Sequence, residues 1–226
     1  MKIGILQAGH TPDDLVRTLG DYDSLYPDLL AGYGFSFEAY CVVDMEFPKS
    51  IAECDGWLIS GSRYGAYEDH TWIPLLEDFI RQIYADGRPL VGVCFGHQII
   101  AQALGGKVEK YKGGWSVGHT EYIFDGEIIP LNAWHQDQVT KRPTDAKVIA
   151  STDFCENAAF VYGDKVWSLQ PHPEFSAAFV DGLINGRGQG VVPEPILAEA
   201  TAKLTEPLAN AAIADRMAAF FRQERL

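Results

Sequence analysis

The feature that most constrains this chain is a five-residue turn, Gly92-Val93-Cys94-Phe95-Gly96. It follows an apolar run, Leu90-Val91-Gly92-Val93, and leads into a segment with helical patterning, residues 96–104. A cysteine between a buried strand and a helix, with glycine two residues to either side, is the thiol form of a nucleophile elbow. The backbone turns so sharply there that side chains at those two flanking positions collide. The turn places the sulfur above the C-terminal edge of a sheet, where open α/β sheets bind their ligands. The helix that follows directs its positive end at the sulfur and favours thiolate. It also leaves the Phe95 N–H available to a developing oxyanion. Taken alone, the same pattern fits a structural thiol in a glycine-rich turn.

The surrounding sequence supplies the sheet. Residues 2–8 read as a first buried strand, 11–34 as a helix, 35–43 as a second strand and 57–59 as a short third. Trp72, Leu75, Leu76, Phe79, Ile80 and Ile83 recur at helical spacing within 71–86. Alternation of strand and helix implies a central, mostly parallel sheet with helices on both faces. From 107 to 169, short alternating segments broken by Gly, Asp and Asn predict an antiparallel extension. Residues 173–185 read as helical and 186–195 as a Gly/Pro-rich loop. The stretch from Ala198 to Leu226 reads as helical, as two helices broken at Pro207. The 226 residues are expected to form one domain.

The segment Gln170-Pro171-His172-Pro173-Glu174 ends another apolar strand. Proline excludes the helical region for the residue before it, so Gln170 and His172 are held extended. Residues two apart in an extended segment face the same side. His172 and Glu174 thereby converge, one as a base for the Cys94 proton and the other as its orienter. A histidine between prolines also fits a plain turn. It is the pairing with an elbow cysteine that gives this one chemical meaning.

Together, Gly92-Val-Cys-Phe-Gly-His-Gln98 and Gln170-Pro-His-Pro-Glu174 resemble the two signatures of class I glutamine amidotransferases, in the free-standing, GMP-synthetase-like branch. The resemblance runs over residues 57–179. It implies a flavodoxin-like fold, a Cys94, His172 and Glu174 catalytic set, and a glutamine or γ-glutamyl substrate. It also implies that Ser60-Gly61-Ser62-Arg63-Tyr64-Gly65 forms the far side of the oxyanion hole, with Gly61 near the substrate and Arg63 N–H as second donor beside Phe95. Many relatives carry Gly-Pro-Gly where this chain has Gly61-Ser62-Arg63. Gln98, Trp115 and Ser116 match positions that contact the substrate. His135 and Asp137, in Trp134-His-Gln-Asp137, match a stretch at the pocket mouth.

Composition narrows the partners. A net charge of -13 repels nucleic acid and anionic lipid, so neither is an expected partner. No apolar run approaches the roughly 18 residues of a membrane span, and a cytoplasmic location is expected. Cys41, Cys54 and Cys155 are assigned to core or strand positions, and His10, His70 and His119 show no partner pattern. No Cys/His zinc spacing and no nucleotide motif occurs, so no metal or other cofactor is expected. Three functions remain open: glutamine hydrolysis with ammonia passed to a separate synthase subunit, hydrolysis or transfer of larger γ-glutamyl compounds, and a silent regulatory module.

Overall fold

The computed structural model describes residues 1–223. Its parallel core is formed by β1 (Lys2–Leu6), β2 (Ser36–Tyr40), β3 (Gly56–Ile59), β4 (Leu90–Val93) and β11 (Val166–Leu169). The antiparallel extension contains β6 (Ser116–Phe124), β7 (Glu127–His135), β9 (Lys147–Ser151) and β10 (Ala159–Tyr162). These nine strands make one sheet in the order β2-β1-β3-β4-β11-β10-β9-β6-β7. A separate two-stranded ribbon pairs β5 (Lys107–Lys110) with β8 (Asp137–Lys141). The helices are α1 (Asp13–Leu19), α2 (Tyr22–Leu29), α3 (Trp72–Asp86), α4 (Phe95–Ala103), α5 (Ala177–Asn185), α6 (Glu194–Ala202) and α7 (Asn210–Arg222).

The pleat of each central strand divides its residues between two apolar cores. Ile3, Ile5, Leu58, Val91, Val93 and Leu169 enter one, with Tyr26 of α2, Phe179 of α5 and Phe221 of α7. Leu6, Trp57, Ile59 and Leu90 enter the other, with Leu76 and Ile80 of α3 and Ile100 of α4. Both faces of β1, β3, β4 and β11 are therefore dry, and their near-continuous apolar sequences follow from that, whereas the edge strand β2 is largely exposed. Gly4 makes room for the Trp57 ring, since a Cβ there would lie 2.2 Å from Trp57 Cζ3. The flavodoxin-like α/β arrangement with an antiparallel extension agrees with the sequence reading.

Four boundaries differ from the sequence reading. Residues 11–34 form two helices, because Gly20 takes φ +84° and the Asp21 carboxylate then caps α2 through the Tyr22 N–H. The second strand stops at Tyr40. Val42–Asp44 close into a tight 3₁₀ turn, ended by Met45 at φ 68°. Residues 173–176 precede α5, whose N-cap is Ser176, so they are not helical. At the C-terminus, α6 begins at Glu194, and the break before α7 spans 203–209 around Pro207. Residues 224–226, read as the end of that last helix, lie outside the described residues.

Candidate active site

Strands β4 and β11 are parallel neighbours, with Leu169 opposite Val93. Their C-terminal ends therefore deliver Cys94 and the 170–174 segment to one sheet edge. Cys94 itself takes φ 52°, ψ -104°, a left-handed conformation rare for a residue with a side chain. The turn is held from both sides. Cys94 N–H donates to the Leu169 carbonyl at 2.9 Å, and Gly96 N–H to the Ser60 carbonyl at 3.1 Å. A Cβ on Gly96 would lie 2.3 Å from the Ile59 carbonyl oxygen, and one on Gly92 would lie 2.6 Å from the Gly96 backbone. Both glycines are thus required sterically. Phe95 is the first residue of α4, and the first intrahelical bond runs from Gln98 N–H to the Cys94 carbonyl. The Phe95 N–H therefore belongs to the end of the helix that lacks internal acceptors.

The 170–174 segment is anchored by its backbone. Gln170 N–H reaches the Ala158 carbonyl at 2.7 Å, and His172 N–H reaches the Asn132 carbonyl of β7 at 3.2 Å. The His172 ring stacks on Phe175, with centroids 4.0 Å apart and planes 6° from parallel. Its Nδ1–H donates to Glu174 Oε1 at 2.7 Å. The Tyr26 hydroxyl donates to the same oxygen at 3.1 Å. Among the described residues, Glu174 Oε2 is buried without a hydrogen-bond partner. Burial alone would lower the proton affinity of His172. The negative charges of Cys94 and Glu174, with hydrogen bonds to both, outweigh it and raise the ring to about 10.

Cys94 and His172 open into a pocket of about 280 Å³. Arg63, Gln98, Trp115 and His135 line it. Asp137 and the residues after α5 close it. Gly61 lies beneath this lining, where a Cβ would meet His172 Cε1 at 3.0 Å. Ser116 pairs with His135 across β6 and β7, but it lines a second cavity bounded by α6 and does not line the Cys94 pocket. Gln98 has both amide protons committed, one to the Asp137 carbonyl at 2.9 Å and one to Gln170 Oε1 at 3.0 Å. Gln170 passes the chain on, donating to Cys94 Sγ at 3.5 Å. His135 is buried and donates Nδ1–H to the Asp137 carbonyl at 3.3 Å. Burial holds its proton affinity down to about 3, so its Nε2 is a bare acceptor, and that atom has no partner among the described residues.

The sequence reading missed several residues here. Tyr26 lies 148 positions from Glu174, and no local pattern connects them. Arg187 and Lys110 add positive charge to the pocket wall, from a loop and from a ribbon with no motif of their own. Gln170 lay within the quoted signature, and its contact with the sulfur follows only from the β4–β11 register. His10 shows no partner pattern in sequence, whereas in the structure it contacts Gln7, Asp21, Cys41 and Asp44 and reaches the pocket wall. His70 likewise has a partner in Glu68.

A doubly wound α/β sheet with a cysteine elbow at its C-terminal edge, opening into a pocket shared with a buried His–Glu pair, defines a hydrolase-type enzyme fold. Residues 22–181 match the family described as Glutamine amidotransferase class-I. The chain belongs to that family. It is 32% identical over 193 residues to Gamma-glutamyl peptidase 4 of Arabidopsis thaliana, covering 77% of each chain. It is also 32% identical over 172 residues to a glutamine-hydrolyzing GMP synthase of Bacteroides fragilis, covering 68% of this chain and 32% of that one. Among solved structures, a glutamine amidotransferase of Methylobacillus flagellatus superposes with a TM-score of 0.76 at 23% identity. That match covers 98% of this chain and 91% of the other, and it shows the shared fold. Among the described residues, no helix is long and apolar enough to cross a membrane.

Proposed function

We propose that this pocket hydrolyses a γ-glutamyl amide through a thioester on Cys94. The observation that carries the reading is the buried His172 ring, held by Glu174 on one nitrogen and coupled to Cys94 on the other side. The Cys94 thiolate attacks the δ-carbonyl carbon, and the oxyanion forms between the N–H groups of Phe95 and Arg63. His172 then protonates the departing nitrogen. Water, deprotonated by the same ring, opens the thioester and releases glutamate.

The substrate's α-ammonium faces acceptors. Gln98 has spent its donors, so it offers its carbonyl oxygen, and the buried His135 backs it by holding the Asp137 carbonyl. Trp115 provides an apolar wall. Ser116, which belongs to the second cavity, acts only through its strand pairing with His135.

Arg63, Lys110 and Arg187 place three cations around a pocket in a protein of net charge -13. Against the carboxylates of Glu68 and Asp137 in the same lining they leave a cationic excess, which suits a substrate with more than one carboxylate and favours a γ-glutamyl peptide over free glutamine. Similarity to a γ-glutamyl peptidase supports the same choice. The second reading, glutaminase action with ammonia delivered to a separate synthase subunit, is supported by similarity to the GMP synthase.

A panel of glutamine, γ-glutamyl peptides and γ-glutamyl amines distinguishes the two, with glutamate and free amine measured for the wild type and Cys94→Ala. Faster release from γ-glutamyl peptides supports the first reading, and ammonia from glutamine supports the second. Turnover that survives Cys94→Ala refutes the mechanism. Absence of any turnover, together with no adduct at Cys94 from a glutamine-like electrophile, refutes the enzymatic reading and leaves the regulatory module.

A further inference from the structure

We propose that His10, Cys41 and Asp44 form a binding site for a zinc-class divalent metal ion on the wall of the Cys94 pocket. The three residues follow the C-terminal ends of two adjacent parallel strands, β1 and β2, whose last residues Leu6 and Tyr40 are paired. The 3₁₀ turn after β2 folds Asp44 back onto Cys41, with Asp44 N–H donating to the Cys41 carbonyl at 3.0 Å. His10 comes from the neighbouring loop and meets them.

Three ligand-type atoms face one point. His10 Nε2 is 3.0 Å from Asp44 Oδ2 and 3.4 Å from Cys41 Sγ, which is 3.1 Å from Asp44 Oδ2. A tetrahedron with bonds of ~2.1 Å has edges of ~3.4 Å. The observed triangle is slightly tighter, so an ion at ordinary zinc bond lengths touches all three atoms from just outside their plane. Its fourth position is left for water or another ligand.

The histidine is set up for this role. Its other nitrogen, Nδ1, meets Asp21 Oδ2 at 2.8 Å, the carboxylate–histidine support that orients metal-binding imidazoles. Asp21 is itself fixed by the backbone N–H groups of Thr11 and Tyr22 and by the Gln7 amide. Without an ion, Asp44 Oδ2 accepts hydrogen bonds from the Cys41 thiol and from His10 Nε2–H. One divalent cation replaces both, releasing the thiol proton and the Nε2 proton to solvent. A thiolate, an imidazole and a single carboxylate select Zn²⁺ or Co²⁺ over Mg²⁺ or Ca²⁺. Because His10 also lines the Cys94 pocket, a bound ion ties the β1–α1 loop to the turn after β2 and stiffens that wall.

The test uses the full chain carrying Cys94→Ala, which removes the pocket's own thiol, stripped with chelator and titrated with CoCl₂. The expected result is one equivalent of Co²⁺ bound, with a thiolate-to-cobalt charge-transfer band in the near ultraviolet. Adding Cys41→Ser abolishes the band, while Asp44→Asn keeps it and weakens binding at least tenfold. Thermal melts of each variant confirm folding. Absence of the band in Cys94→Ala, or its survival in folded Cys94→Ala/Cys41→Ser, overturns the proposal. So does unchanged affinity in Asp44→Asn, which also decides the matter if Cys41→Ser fails to fold.

Discussion

Replacing Tyr26 with phenylalanine separates what holds the candidate site together from what performs its chemistry. The Glu174 side chain is fully buried. Its Oε1 accepts two hydrogen bonds, from His172 at 2.7 Å and Tyr26 at 3.1 Å, and Oε2 has no partner among the described residues. Phenylalanine keeps the stacking of ring 26 on Tyr22, whose centroid lies 5.9 Å away, and removes only the hydroxyl. A hydrogen bond to a charged group contributes roughly 1.5–3 kcal/mol, and here it is one of two that stabilise a buried carboxylate. The expected loss is about 2 kcal/mol, or roughly 4–8 °C in Tm for a domain of this size. Catalysis moves little. A carboxylate relieved of one donor becomes a stronger acceptor, and His172 takes the freed share. Turnover on the best γ-glutamyl substrate is therefore expected to stay within about tenfold of wild type, since a one-unit pKa change corresponds to ~1.4 kcal/mol. Thermal melts and steady-state rates decide the matter. A hundredfold loss of kcat with an unchanged Tm shows that Tyr26 acts in the reaction and refutes this account of Glu174.

Two further outcomes follow from the geometry. Gly96→Ala drives a Cβ to 2.3 Å from the Ile59 carbonyl oxygen, a backbone atom with no rotamer to change. The protein should lose about 3 kcal/mol of stability and Cys94 at least tenfold of its alkylation rate, whereas wild-type melting would show that the elbow relaxes freely. Acid should destabilise the fold well above the carboxylate range. Burial holds His135 at about 3 and His97 at about 4, so the unfolded chain binds protons that these rings refuse. Below the unfolded value near 6.5 each ring removes about 1.4 kcal/mol per pH unit, until its own folded value is reached. His172 runs the other way. Its raised value stabilises fully below about 6.5 and fades as pH climbs toward about 10. The unfolding free energy from urea melts should thus drop from about pH 6 to pH 5 by roughly 2–2.5 kcal/mol in all, and a flat profile there would contradict the buried, neutral state of both rings.

The geometry of the candidate site's core was legible in sequence because short-range sterics write it there. Gly92 and Gly96 announce the bend at Cys94, since any Cβ at either position meets backbone. Pro173 announces an extended His172, which bridges to Asn132, whereas Pro173 and Glu174 themselves form a turn. Alternating apolar strands and amphipathic helices announce the parallel sheet. These signals act within a few residues, where φ/ψ limits and side-chain period leave few solutions. Only the tertiary structure decided which distant groups complete the constellation. Tyr26 reaches Glu174 because α2 packs on the face that carries β11, and Gln170 reaches the Cys94 sulfur through the register of β4 and β11. His10, Cys41 and Asp44 converge because β1 and β2 are parallel neighbours, and Ser116 falls outside the pocket because its strand turns it toward α6. No local pattern encodes such meetings. They arise when separate stretches of chain bury their apolar faces together and carry their polar residues along.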